Sequence, residues 1–438
     1  MRFGPGVQLI LIYSLILFGY LRTTGFYSFG GFVSIVIAYF LLFFINFSKK
    51  DDPKELKIAL NLLFFISLVL SLIFYRILYE EKEVLGLVNQ VMLATLIPLS
   101  LLYFTKNSSL PFFSKNKFLI FLSVAFILRV FVIISSPHPN IDVYDQLKNG
   151  AKYLLQLKNP YQQTYPVIYP NHIPLFYGYL PSSIFIMIPF VKLLEEPRYA
   201  HILSDIGSAL IFYWLLKKTS KKESAIKTQE LVPLIFLYNP SSLFVIEQSW
   251  LDPVVQFFLF FFIYLYLQNK KSIIPFIVLG ITLTIKETLV LIIPSLILKL
   301  NYQFKQLFFT ILVCLVIILP FFFWSPKDFI QDTMTAGFNP LYNTAPIKHS
   351  LNFTGFSYQT FGRDLSNFLR ISAVVPISAL IFIRSKRNFL GFFYSFVIFL
   401  FTVTLFFTQA FLNYYTLINS LILLLLVFSV RSINIVNH

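Results

Sequence analysis

The sequence predicts an all-α, polytopic transmembrane protein, and three observations carry that expectation. Of its 438 residues, 57% are hydrophobic and only 12% charged, with a mean hydropathy of +0.75. No water-soluble core hides that much apolar surface. Apolar runs near the ~20 residues needed to cross a hydrocarbon core recur from end to end. The 54 Phe and 25 Tyr suit lipid-facing surfaces and interfacial aromatic belts.

In order, the candidate spans are 4–21, 28–47, 58–78, 85–105, 118–136, 198–216, 230–246, 252–268, 272–285, 287–300, 306–324, 365–383, 389–408 and 412–430. That gives about 13–14 crossings at the usual span length. Met1 to Tyr20 carries one Arg and no A-x-A cleavage site, so it is expected to stay as the first span. Residues 272–300 as one helix measure about 43 Å, well beyond a ~30 Å hydrocarbon core. Two short helices meeting near Lys286 fit better. Residues 181–195 are apolar but short, and a crossing there would put the lysines at 217–227 on the wrong side. A re-entrant or interfacial helix restores the pattern.

The net charge of +16 raises the question of nucleic acid. Its Lys and Arg sit in short loops between apolar runs, as cytoplasmic loops beside anionic lipid require, so no nucleic-acid partner is expected. Lys49, Lys50, Lys54 and Lys57, then Lys217, Lys218, Lys221 and Lys222, then Lys270 and Lys271 fall on the side assigned inside. The long loops 137–180 and 325–364 then face outward, and the unusual polar residues collect with them. Cys314 is the one cysteine, so no internal disulfide forms.

Asp142 and Asp145 follow Pro139 in a stretch whose apolar positions 143, 147, 151, 154 and 155 have helical spacing. Asp142 suits an N-cap and Asp145 the N3 position, a variant capping box. The same two carboxylates share one face at an outer mouth, where one can act as general base toward a sugar hydroxyl. Lys286 at a turn between half-spans is either a functional cation or a lysine snorkelling to headgroups. The tip 238–253 carries Glu247, Gln248, Trp250 and Asp252 and reads first as an interfacial turn with a tryptophan anchor and second as a site of direct chemistry. Lys348 and His349 can hold a phosphate or form a plain solvated loop. Arg198 starts a span, and Asp205 two turns on calls for an interhelical partner. No histidine spacing suits zinc, and there is no P-loop, no dinucleotide fingerprint and no clear repeat.

In order, "IDVYDQLKNGAKYLLQLKNPY" (141–161), "RYAHILSD" (198–205), "NPSSLFVIEQSWLDP" (239–253), "TIKETLVL" (284–291), "WSPKDFIQDT" (324–333), "APIKHSLNF" (345–353) and "QAFLNYY" (409–415) resemble a GT-C type membrane glycosyltransferase. The set is most similar to the family of bacterial polyprenyl-phosphate-mannose-dependent mannosyltransferases, glycosyltransferase family 87. The resemblance covers 118–430 as a GT-C-like domain. The four spans of 1–117 lie outside it, and 431–438 forms a cytoplasmic tail. It implies Asp142 as the catalytic base, with Asp145, Lys286, Lys348, His349, Glu247, Arg198 and Tyr144 as substrate-binding residues. Related families often show Asp-x-Asp where this chain has Asp-x-x-Asp, so no metal is indicated and no cofactor is expected.

The implied reaction moves a hexose, mannose first among the candidates, from a polyprenyl-phosphate sugar to a lipid-linked or cell-envelope glycan, with inversion, on the outer face of the plasma membrane. Tyrosines 144, 153, 161, 165 and 169 suit stacking on sugars or interfacial anchoring. The rival classes are a transporter or flippase, which predicts charges along a central pathway, and a ligase for lipid-linked glycans.

Overall fold

The structure, a computed structural model, describes residues 3–104, 111–168, 176–217, 223–335 and 348–435. Tyr169 and the stretch 338–347 of the second loop expected to face outward lie outside them. Among the described residues the chain is all-α, 76% helical, with nineteen α-helices. These are α1 (Pro5–Leu21), α2 (Phe29–Phe43), α3 (Pro53–Ile73), α4 (Leu87–Phe104), α5 (Pro111–Ser135), α6 (Asp142–Leu155), α7 (Pro181–Leu194), α8 (Arg198–Lys217), α9 (Glu223–Leu237) and α10 (Ser242–Glu247). They continue with α11 (Asp252–Gln268), α12 (Ile274–Leu283), α13 (Ile292–Lys299), α14 (Phe304–Trp324), α15 (Pro326–Ile330), α16 (Phe353–Phe361), α17 (Asn367–Arg384), α18 (Phe389–Phe406) and α19 (Leu412–Ile435). Among the described residues, eight helices are long and apolar enough to cross a membrane, and five shorter apolar ones accompany them.

Local chemistry sets the helix starts. Ser28, Asp52, Asn352, Ser366 and Asn388 each accept a backbone N–H of the first turn, and Pro5, Pro53, Pro181 and Pro326 open their helices. Asp51 reaches back to α1, where both its carboxylate oxygens accept the Gly6 N–H at 2.9 Å. A carboxylate there also meets the positive end of the helix dipole.

α19 runs through the interior, with Leu421 to Val427 buried, while α14 and α17 keep most of their apolar side chains exposed, as lipid-facing helices do. The first helices are packed into the same body. α1 lies against α2 and α19, α3 lies against α9, and the Tyr39 hydroxyl meets Thr402 Oγ1 at 2.8 Å.

Two helices depart from the sequence expectation, for physical reasons. The run 230–246 is not one helix. α9 stops at Leu237 and α10 restarts at Ser242, because Pro240 drives Asn239 away from helical geometry. Arg129 caps the break by donating from Nη2 to the Leu237 carbonyl at 2.9 Å, while its Nε pairs with Asp205 at 3.0 Å. Asp205 thereby has the interhelical partner its position called for.

α7, at 14 residues, spans only about 21 Å. The Leu180 and Ser182 N–H groups donate to Ile285 and Thr284, while beyond its other end Glu196 meets Tyr144 of α6. The 284–286 break and the start of α6 belong to the same end of the bundle, so α7 returns to the end it leaves. The split of 272–300 is likewise observed. α12 ends at Leu283, Lys286 is extended at φ −145°, and a short 3₁₀ turn over Glu287–Leu291 leads into α13.

Candidate functional site

Asp142 stands where the loop after α5 becomes α6. Ile141 is extended at φ −139° and occupies the N-cap position, so the cap sits one residue earlier than expected and has no side-chain acceptor. Asp142 is the first helical residue, and its Oδ1 accepts the Val143 N–H at 2.9 Å. Val143, Leu147 and Ala151 are buried as the spacing predicts, whereas Leu155 at the helix end is 41% exposed. Asp145 lies one turn along. Partial burial raises its carboxyl above the usual range, and nearby Lys148 works against that shift.

Lys286 belongs to a second centre. Its Nζ lies 3.3 Å from Asp252 Oδ1 and 3.5 Å from Oδ2, and 5.3 Å from the centre of the Tyr414 ring. Asn413 Nδ2 approaches the same carboxylate at 3.5 Å. Asp252 is the first residue of α11, about 26 Å from its far end, so the pair sits toward one end of the bundle. Sequence reading noted Asp252 only as part of a turn. The pairing with Lys286 joins residues 34 apart and has no local signature.

Tyr179, immediately before α7, connects the two centres. Burial moves its phenol well above the ordinary range, and next in effect come the carboxylates of Asp142, Asp252 and Glu287. Tyr79, from the segment after α3, feels Glu247 and Asp142 in the same way. Asp142 and the Asp252–Lys286 pair therefore both lie near enough to Tyr179 to act on its phenol, and the Leu180 N–H, one residue on, donates to the Ile285 carbonyl beside Lys286. Sequence reasoning missed both tyrosines, and an isolated loop tyrosine gives no signal that would find them.

The remaining candidates are engaged with the protein itself. Arg198 is fully buried, donating from Nε and Nη2 to Glu196 at 2.9 and 2.8 Å. Its guanidinium and the Lys148 ammonium lie 5.1 and 5.2 Å from the Tyr144 ring centre, and the Tyr144 hydroxyl donates to Glu196 and Pro137. Glu247 is buried, and its Oε1 accepts the Leu78 and Tyr79 N–H groups, both at 2.7 Å. It ties the segment after α3 to the tip that carries Asp252. Tyr161, Tyr165 and Tyr177 pack edge to face and tilted around Phe321 and Phe329, so their faces are covered by one another.

Lys348 and His349 are exposed and sit beside the α1–α2 turn, where the Tyr27 N–H donates to the His349 carbonyl at 2.7 Å. The segment 408–414 stands between this pair and Lys286. Thr408 and Ala410 hold Ser350 and Leu351, while Asn413 and Tyr414 meet Asp252 and Lys286. Among the described residues, no group of three or more His, Cys, Asp or Glu is placed to hold a metal. A cavity of about 20 Å³, room for a water or two, lies beside Arg129, Tyr238 and Asn239 and shares no lining residue with the Asp142–Lys286 region. No family model, curated protein or solved structure matches the chain.

Proposed function

We propose that this membrane protein is a glycosyltransferase that moves a hexose from a polyprenyl-phosphate sugar to a lipid-linked or cell-envelope glycan acceptor. The observation that carries the reading is the convergence of Asp142 and the Lys286–Asp252 pair on Tyr179. An acceptor hydroxyl attacks the anomeric carbon as Asp142 takes its proton. The bond from that carbon to the phosphate oxygen breaks, and polyprenyl phosphate leaves with the electron pair. A sugar phosphate already has a good leaving group, so developing charge on phosphate needs a nearby cation more than it needs an acid. Lys286 is that cation, and a single base opposite the leaving group gives inversion.

The arrangement of charge favours this reading over a transporter. Arg129 lies six residues, about 9 Å, from the end of α5, and Lys286 and Arg198 lie at the same end. The charges gather toward one end instead of tracing a path through the bundle. In this reading the site faces outward from the plasma membrane. The deciding experiment incubates purified protein with labelled polyprenyl-phosphate mannose and follows release of polyprenyl phosphate. Asp142→Asn should lower turnover by roughly 10²-fold, the usual worth of a general base, with the fold intact. Full activity in that variant removes Asp142 from the mechanism.

A further inference from the structure

The α1–α2 turn is tightly hydrogen-bonded and flanked by basic residues, and the proposed transfer reaction makes no use of it. Thr24 and Gly25 both take positive φ, at 53° and 81°. The Gly25 N–H donates to Tyr20, and the Phe26 N–H donates to Thr23. A Cβ on Gly25 would collide with the backbone of Leu412, so the turn is seated against the start of α19. Arg76 reaches it from the end of α3, donating to Thr24 Oγ1 and the Arg22 carbonyl, each at 3.3 Å. On the other flank, Phe26 bridges to Ser350 and its ring lies 6.4 Å from that of His349.

Four exposed basic or titratable residues therefore share one surface: Arg22, Arg76, Lys348 and His349. Among the described residues, none of them forms an ion pair, whereas Arg198, Lys286 and Arg370 at the same end all do. Beside the cations, Phe26 is 52% and Phe29 67% exposed. Phe29 opens α2, an apolar helix, so these rings suit the boundary between hydrocarbon and headgroups.

We infer that this surface docks the phosphate headgroup of an anionic membrane phospholipid, with Phe26 and Phe29 against its acyl chains. Cations with no counter-ion among the described residues complement the phosphate, and the two rings select a lipid over a free anion. The site is separate from the transfer centre, and its test does not depend on transfer activity.

The test reconstitutes the full chain into phosphatidylcholine nanodiscs with and without phosphatidylglycerol, then measures retained lipid by native mass spectrometry. The wild type should retain phosphatidylglycerol in preference to phosphatidylcholine. Each of Arg22→Gln, Arg76→Gln and Lys348→Gln should weaken retention about fivefold, the usual worth of a cation near an anionic lipid surface. Lys271→Gln, at the opposite end, should change nothing. Phe26→Ala with Phe29→Ala should weaken lipid retention, and inorganic phosphate should compete poorly. Arg22 is exposed and Arg22→Gln alone should fold, so it carries the test if a combined variant does not. Equal retention of both lipids, an unchanged Arg22→Gln, or equal loss in Lys271→Gln overturns the inference. So does efficient displacement by inorganic phosphate, which marks a free-anion site.

Discussion

Lys286 Nζ lies 3.3 Å from Asp252 Oδ1, and both side chains are buried. This ion pair joins the break between α12 and α13 to the first turn of α11. It also changes what a substitution at Lys286 does. Sequence alone leaves Lys286 either a functional cation or a lysine snorkelling to headgroups, whereas here it already has an internal counter-ion.

Lys286→Met should therefore destabilise the protein, because it leaves the Asp252 carboxylate buried without its partner. Breaking one side of a buried pair costs about 3–5 kcal/mol. Adding Asp252→Asn should restore most of that loss, since a neutral amide has no charge to strand. Thermal unfolding in detergent checks this directly. An unchanged midpoint for Lys286→Met alone shows that the pair contributes nothing to stability, and restored stability without restored donor turnover assigns Lys286 to the phosphate.

Tyr179→Phe keeps the ring and removes only the hydroxyl on which the carboxylates of Asp142 and Asp252 act. The backbone carbonyl that accepts the Tyr161 hydroxyl at 2.8 Å is untouched, so the fold should hold. Losing one hydrogen-bonding group is worth about 0.5–1.5 kcal/mol, roughly a two- to tenfold loss in rate. Steady-state kinetics at varied donor should show that loss in kcat or in kcat/KM. Wild-type kinetics would mean that Tyr179 fills space and nothing more.

What the sequence made legible follows from range. Apolar runs and the excess length of 272–300 are local, so most of the long helices, the break at Lys286 and the short α7 could be anticipated, whereas the cap expected at Asp142 falls on Ile141. The break after Leu237 was written in "YNPSS", where proline follows asparagine, yet flanking apolar residues masked it. Pairings across the chain were not legible. Glu247 holds Leu78 and Tyr79, and Lys286 holds Asp252, only because helices distant in sequence pack together. Arg198 and Tyr144 looked open to substrate because a local pattern cannot show that Glu196 sits against both.

Asp332 predicts a pH dependence. It is buried after α15, its Oδ2 has no hydrogen-bond partner among the described residues, and the Tyr177 N–H donates to its carboxyl. Burial pushes the carboxyl up to about 7, Tyr177 opposes the shift, and Asp328 adds to it. A raised folded-state value means that the native state holds the proton where the unfolded chain, near ~3.9, has released it. Stability should fall as pH rises from about 4 to about 7 and then level off. Asp332→Asn should flatten that slope and stabilise the protein at pH 8 by a few kcal/mol at most. Thermal midpoints measured across this range decide it, and an identical slope in the variant clears Asp332 of the effect.

Orientation is the remaining test, because it determines which donor the site can meet. Lys348 lies at the end that carries Asp142 and Lys286. Lys271 lies at the opposite end, in the turn after α11 where Gln306 Nε2 donates to the Lys270 carbonyl at 2.8 Å. With Cys314→Ala as background, Lys348→Cys should react with a membrane-impermeant thiol reagent in intact cells. Lys271→Cys should react only after permeabilisation. Both positions are exposed, so neither change disturbs packing. The reverse pattern would place Asp142 and Lys286 in the cytosol, where soluble nucleotide sugars are available and a polyprenyl-phosphate donor has no advantage. The expected pattern puts them on the face without nucleotides, where a sugar already carried on a lipid phosphate is the donor that can reach Lys286.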